Sequence, residues 1–384
     1  MSRSCLGHPL FLYLPPEREL CQPFYHRPLR FQSTTFSHLF QGISVEEIYL
    51  TSNPLSRLRV TCGIDMRTRE LFLGCSSLLL VLCLLVSCVG AVSVSPDQPG
   101  PYHVGSYIVW YLVPAYGLYR ATIRYPASSD GQRTPVDTSA APCPSIVVAN
   151  GFAGSEKQIT WIPNHLTSYG YVTLCFTPPH RLSWDTTQWA SGFLAGFSAL
   201  QKQNERRFSP ISGILDGETW GAIGLSMGGG GCVEATGTAG SLIDASVALA
   251  PAGFPAVLAA ARNITVPIQL QVGTVDRLVP PDHVREIYAD SLTNNTIKEY
   301  LSITGGNHLG FIDEQYASVG QRWGIDNPPG ISVEQQHNIS RIYFTAWFQY
   351  HLRHLDEYYT YIFGEEAQQD LETGILAEFL YNIP

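Results

Sequence analysis

Cysteine is scarce in most of this chain. Of nine cysteines, six lie at or before Cys88, leaving Cys143, Cys175 and Cys232. Three is an odd number, so one disulfide at most can form and one thiol stays free. No pair has zinc-ligand spacing, so no metal or other cofactor is expected. Charge is also sparse, at 14% of 384 residues. From Val92 onward, 15 Lys and Arg face 26 Asp and Glu with no basic stripe, which excludes nucleic acid as a partner. No internal repeat is present, which excludes a solenoid. Hydrophobic residues make up 45%, enough for one large core.

What is present centres on Gly224-Leu225-Ser226-Met227-Gly228. The apolar run Trp220-Gly221-Ala222-Ile223 precedes it; three more glycines and the helix-compatible Cys232-Val233-Glu234-Ala235 follow. Strand, sharp turn and helix with serine at the apex describe a nucleophile elbow. Its glycines allow the chain to reverse within a residue or two, where side chains would clash. A glycine-rich loop with an incidental serine would look the same, so context decides. A serine needs a base, and the base needs a carboxylate to orient it, in the chain order Ser, Asp, His for this arrangement. The β-rich stretch 268–274 runs into Asp276, and a second, 297–303, runs into Gly305-Gly306-Asn307-His308. Both residues therefore fall past carboxyl ends of strands, the edge where open α/β sheets gather their chemistry. Taken singly, Asp276 could be a turn residue before Pro280-Pro281 and His308 a loop histidine. Asp282 and His283 begin a helix, His337, His351 and His354 follow helical spacing, and Asp244 sits at the wrong end of the sheet. The catalytic candidates are Ser226, Asp276 and His308.

An oxyanion hole needs two backbone N–H donors. Met227 follows the nucleophile; Phe152, in Asn150-Gly151-Phe152-Ala153-Gly154 after the apolar run 145–149, is the second candidate and a cleft wall. Asn-Gly-Phe-Ala-Gly at 150–154, Gly-Leu-Ser-Met-Gly-Gly-Gly-Gly at 224–231, Gly-Thr-Val-Asp at 273–276 and Gly-Gly-Asn-His at 305–308 resemble bacterial cutinases and poly(ethylene terephthalate) hydrolases. Dienelactone-hydrolase-like and platelet-activating-factor-acetylhydrolase-like esterases belong to the wider group. The resemblance runs from about residue 115 to about residue 315. It implies an α/β-hydrolase fold, with a mostly parallel central sheet and helices on both faces. It also implies carboxylic ester hydrolysis without a metal. Leu225 and Phe254 take substrate-side positions by the same resemblance. Leu225 stands where those cutinases carry His or Trp. Phe254 replaces their tryptophan-bearing loop, and their C-terminal disulfide is missing because no cysteine follows Cys232. These departures bear on polyester cleavage rather than on the esterase reading.

Spacing between the three candidates leaves no room for a large helical lid. Elsewhere, 95–115 reads as an extended lead-in, 184–203 as an amphipathic helix, 204–219 as a polar linker, 333–355 as a helix and 364–380 as a last one. Residues 71–94 carry no charge and follow Arg67 and Arg69, the pattern of a signal peptide. Met66 is then the expected true start, with 1–65 a leader produced by the gene model. Two other fates remain open for 66–91: a lipoprotein anchor at Cys88, after Leu85-Val86-Ser87, or a retained membrane anchor. Each puts the 92–384 catalytic domain outside the cytoplasm, as a secreted or cell-envelope monomer. Its partner is expected to be a small-molecule or polymeric ester. The competing activities are lipid-acetyl hydrolysis, peptide cleavage or acyl transfer on the same fold, and ligand binding by a catalytically silent domain.

Overall fold

The computed structural model describes residues 95–240 and 242–384. The leader, signal and anchor readings on 1–94 lie outside the described residues. Burial alternates along the apolar run after Ser145: Ile146 and Val148 join one buried cluster, while Val147 and Ala149 join another. A strand covered on both faces reads as a continuous β-branched stretch, and this one does.

That strand is the fourth of ten. The others are β1 (His103–Val113), β2 (Gly117–Ala127), β3 (Gly131–Gln132), β4 (Cys143–Ala149) itself, β5 (Val172–Thr177), β6 (Leu215–Leu225), β7 (Ala245–Leu249), β8 (Ile268–Gly273), β9 (Lys298–Ile303) and β10 (Leu376–Asn382). They form one sheet in the order β10-β9-β8-β7-β6-β4-β5-β2-β1-β3. From β5 across to β9 all neighbours are parallel, whereas β2 and β10 join antiparallel.

Helices cover both faces. The nine α-helices among the described residues are α1 (Trp161–Ser168), α2 (Thr187–Glu205), α3 (Met227–Thr238), α4 (Pro255–Ala261), α5 (Pro281–Glu286), α6 (Glu314–Arg322), α7 (Val333–Arg353), α8 (Tyr359–Phe363) and α9 (Glu365–Glu372). On α2, Trp189, Phe193, Phe197 and Leu200 recur at helical spacing and bury against Val147 and Leu174. On the opposite face, Phe344, Trp347 and Phe348 of α7 share a cluster with Ile146 and Val148. Between Ser226 and Asp276 the chain holds only α3, β7, α4 and β8 with their loops, so no lid is inserted there.

Four expectations need correcting. The helix read as 184–203 begins at Thr187, because the Asp185 carboxylate accepts the Thr187 N–H and ends the loop there, which leaves Trp184 outside. The linker 204–219 ends inside β6, whereas the extended lead-in is borne out by β1. The final helix stops at Glu372, and the chain then forms β10, paired with β9. The helix read as 333–355 ends at Arg353, where His354 takes a left-handed conformation (φ 56°). Cys143, Cys175 and Cys232 are all free and buried. No described helix is long and apolar enough to cross a membrane.

Candidate active site

Ser226 sits between β6 and α3 with φ 59° and ψ −118°, a conformation that non-glycine residues hold only when their surroundings force it. The forcing contacts are visible. Its N–H donates to Leu249 O (2.9 Å), and its carbonyl accepts from Gly230 N (2.8 Å) and Ala252 N (3.0 Å). The elbow closes so tightly that a Cβ on Gly224 would lie 2.1 Å from the Gly228 carbonyl oxygen. The glycine spacing thus has a steric cause.

Asp276 follows β8 and His308 follows β9, neighbouring strands whose ends share the rim with Ser226. Asp276 Oδ2 and His308 Nδ1 are 2.8 Å apart, and Asp276 Oδ1 accepts the Val279 N–H at 2.7 Å. Both side chains are buried. Ser226 is partly exposed, and its hydroxyl makes no hydrogen bond to His308 or to any other described residue. The structure therefore joins two of the three candidates by a direct bond. It places the third on the same rim.

Gly151 packs against the serine so closely that an added Cβ would lie 2.5 Å from Ser226 Cβ and 3.0 Å from Oγ. Asn150 braces this loop: its Oδ1 accepts Gly151 N–H, its Nδ2 donates to Ser155 O, and its own carbonyl accepts from Trp189 Nε1. Among the described residues no hydrogen bond takes up the backbone N–H of Phe152 or of Met227. Two free donors thus flank the serine. Leu225, expected at the substrate, is 1% exposed and lies within the buried cluster, out of reach of a ligand. Phe254 is half-buried at the start of α4.

Two features escaped the sequence reading. The first is Trp184, 65% exposed, whose ring stacks on Phe152 with centroids 4.3 Å apart and meets Phe254 edge-on at 6.4 Å. The three rings form an aromatic wall beside the serine; the signal that could have found it is Asp185, a helix-start residue. The second is Asp326. Its Oδ1 accepts the Arg277 and Asn327 N–H groups, and its Oδ2 accepts the Leu309 N–H. One buried carboxylate thereby ties the residue after Asp276 to the residue after His308. Gln336 adds two bonds to the backbone of Asn307.

Other nucleophiles are poorly placed. Burial pushes the Cys175 and Cys232 thiols up to about 12 and Cys143 up to about 11, so none is a thiolate near neutrality. Among the described residues no cluster of His, Cys, Asp or Glu could hold a metal. Asp244 binds the Trp220 N–H near the other end of β6, away from the rim.

Residues 94–323 match the family model described as PET hydrolase-like. A bis(hydroxyethyl) terephthalate hydrolase of Streptomyces coelicolor is 28% identical over 210 residues, 55% of this chain and 61% of that protein. A cutinase of Thermobifida fusca is 26% identical over 211 residues, 55% of this chain and 63% of that protein. Cutinase 1 of Thermobifida cellulosilytica is also 26% identical over 211 residues, 55% of this chain and 72% of that protein. The chain thus spans less than two thirds of the length of the first two. The family match covers more than half of the chain and includes the elbow, Asp276, His308 and the Phe152 loop, so this chain belongs to the PET hydrolase-like family of α/β-hydrolases.

Proposed function

We propose that this chain is a serine hydrolase of carboxylic esters that works through an acyl-enzyme on Ser226. The observation that carries the reading is the 2.8 Å Asp276–His308 bond on the rim where Ser226 stands at positive φ. His308, with Nδ1–H held by Asp276, presents the lone pair of Nε2. It takes the serine proton as Oγ attacks the ester carbonyl, and gives it to the departing alcohol. The Phe152 and Met227 N–H groups stabilise the oxyanion of the tetrahedral intermediate. Water, activated by the same imidazole, then releases the acid and frees Ser226.

The aromatic wall supports an aryl ester as the acyl part, and the terephthalate-ester and cutin-named relatives support ester substrates, small or polymeric. Export fits the uncharged stretch 71–94 behind Arg67 and Arg69. A series of p-nitrophenyl esters, from acetate to long acyl chains and benzoate, tests the reading when combined with a fluorophosphonate label. The expected result is turnover of the series and labelling of the peptide that contains Ser226. Labelling elsewhere, or none, would sink it.

Trp184→Ala removes the exposed ring and leaves Phe152 without its stacking partner. Stacked rings contribute about 1 kcal/mol, so KM for an aryl ester should rise about fivefold while that for p-nitrophenyl acetate stays nearly constant. Equal effects on both esters would show that the wall does not contact the acyl group. Asp326→Ala should act on kcat instead. Without its tether the Asp276 and His308 loops separate, and misplacement of that order costs about ten- to a hundredfold. Michaelis–Menten analysis should show kcat falling with KM little changed, and Asp326→Asn, which keeps one acceptor, losing less.

A further inference from the structure

Arg124 is a buried charge of the sheet that the ester reading leaves unused. It lies on β2 opposite Thr173, near the start of β5, and so at the end of the sheet away from Ser226. It is only 8% exposed, and its Nη1 has no hydrogen-bond partner. Neighbouring arginines show what is missing. Arg120, on the same face of β2, pairs with Glu156, and Arg353 donates to the Gly170 carbonyl. Asp313, the acid whose field reaches Arg124, already accepts from Thr160 N and Oγ1. A buried guanidinium with an N–H left unpartnered is costly, and burial holds the Arg124 pKa below its ordinary value.

Arg124 lines a recess of about 740 Å³ together with Trp161, Asn164, His165, Ser168 and Arg341. Arg341 lies over the Trp161 ring at 5.6 Å, and its Nε is likewise buried without a partner. Its Nη1 is occupied by Glu334 and Asn338. Asp97 and Asp130 line the same recess, and Asp130 is held anionic by the Val104 N–H and by His103. Two cations therefore stand against two carboxylates.

We infer that this recess binds an organic monocarboxylate, its carboxylate against the guanidinium groups of Arg124 and Arg341 and its body in the volume beside Trp161. A planar guanidinium matches a carboxylate through parallel N–H donors. The recess is far larger than a bare ion, which calls for an organic body. Asp97 and Asp130 repel a phosphate dianion about twice as strongly as a monoanion, which favours a single carboxylate. This site stands independently of the reaction at Ser226.

Calorimetric titration of the full chain with sodium benzoate tests this, with sodium phosphate and uncharged benzamide at matched ionic strength as comparisons. Benzoate is expected to bind one to one and more tightly than either comparison. Arg124→Gln should weaken it tenfold or more, with turnover of p-nitrophenyl acetate unchanged. Should Arg124→Gln not fold, Arg124→Lys, which keeps the charge but loses the planar fork, should show a loss of several fold. Absence of benzoate binding, equal binding by wild type and variant, or tighter binding of phosphate or benzamide would each overturn the assignment.

Discussion

Asp276→Asn should leave the fold standing and cut kcat about 10⁴-fold, about 5.4 kcal/mol of barrier. The reason lies in the two bonds of that carboxylate. Oδ1 accepts the Val279 N–H and Oδ2 faces His308 Nδ1. An asparagine keeps its oxygen on Val279 and so turns its NH₂ toward the imidazole. The ring must then offer Nδ1 as acceptor and carry its proton on Nε2, the wrong tautomer for taking a proton from Ser226. Ser226→Ala should cost more, about 10⁶-fold, and the double variant little beyond that, because the three groups act as a unit. Turnover of p-nitrophenyl butyrate, with thermal melting as a fold check, decides the matter. A Ser226→Ala protein that keeps a tenth of its activity would place the nucleophile elsewhere.

How much of this was legible in the residues depends on how local each feature is. The elbow is local. Gly224 is demanded by a backbone contact four residues along, with the Gly228 carbonyl, so the motif announces the turn; Gly228 itself is held free of a side chain by the Ala149 and Asn150 carbonyls of the neighbouring strand end. Asp276 and His308 could be read because each follows a β-rich run whose end defines the rim. Leu225 could not: its burial is decided by the cluster it joins across the sheet rather than by its neighbours. The strand β10 follows a helix-like acidic stretch, and its ladder exists only through β9, interrupted by a register shift between Leu376 and Glu378. Trp184 reads as the first aromatic of the helix that holds Trp189, yet the Asp185 carboxylate ends the loop after it, and the ring stacks on Phe152. Asp326 is an isolated acid in a loop, and its three bonds run to residues 49, 17 and 1 positions away. Such tethers leave no periodic trace.

Acid should destabilise this protein through histidines that play no part in the proposed reaction. Burial, with the Arg341 charge second, lowers His165 to about 4 and His337 to about 3; burial, with His354 second, lowers His351 to about 3. In the unfolded chain each titrates near 6.5. Above that pH both states are neutral there and nothing is gained or lost. Below it the unfolded chain takes up a proton at each histidine while the folded chain does not, until pH reaches the lowered value. Stability therefore declines as pH falls from about 6.5 toward 4, at about 1.4 kcal/mol per unit for each group. Glu299, Asp244 and Asp370 oppose this, since burial raises them and their protonation favours the folded state as pH falls. The histidine share is isolated by substitution. His337 stacks on Trp161 at 3.9 Å, and His337→Gln keeps a neutral, planar group there at every pH. Urea unfolding at pH 7 and pH 5 should show the variant losing about 2 kcal/mol less than wild type over that interval. His165→Gln should behave alike, and the two savings should add if the sites titrate independently. Parallel losses in wild type and both variants would mean that these rings are protonated inside the folded protein.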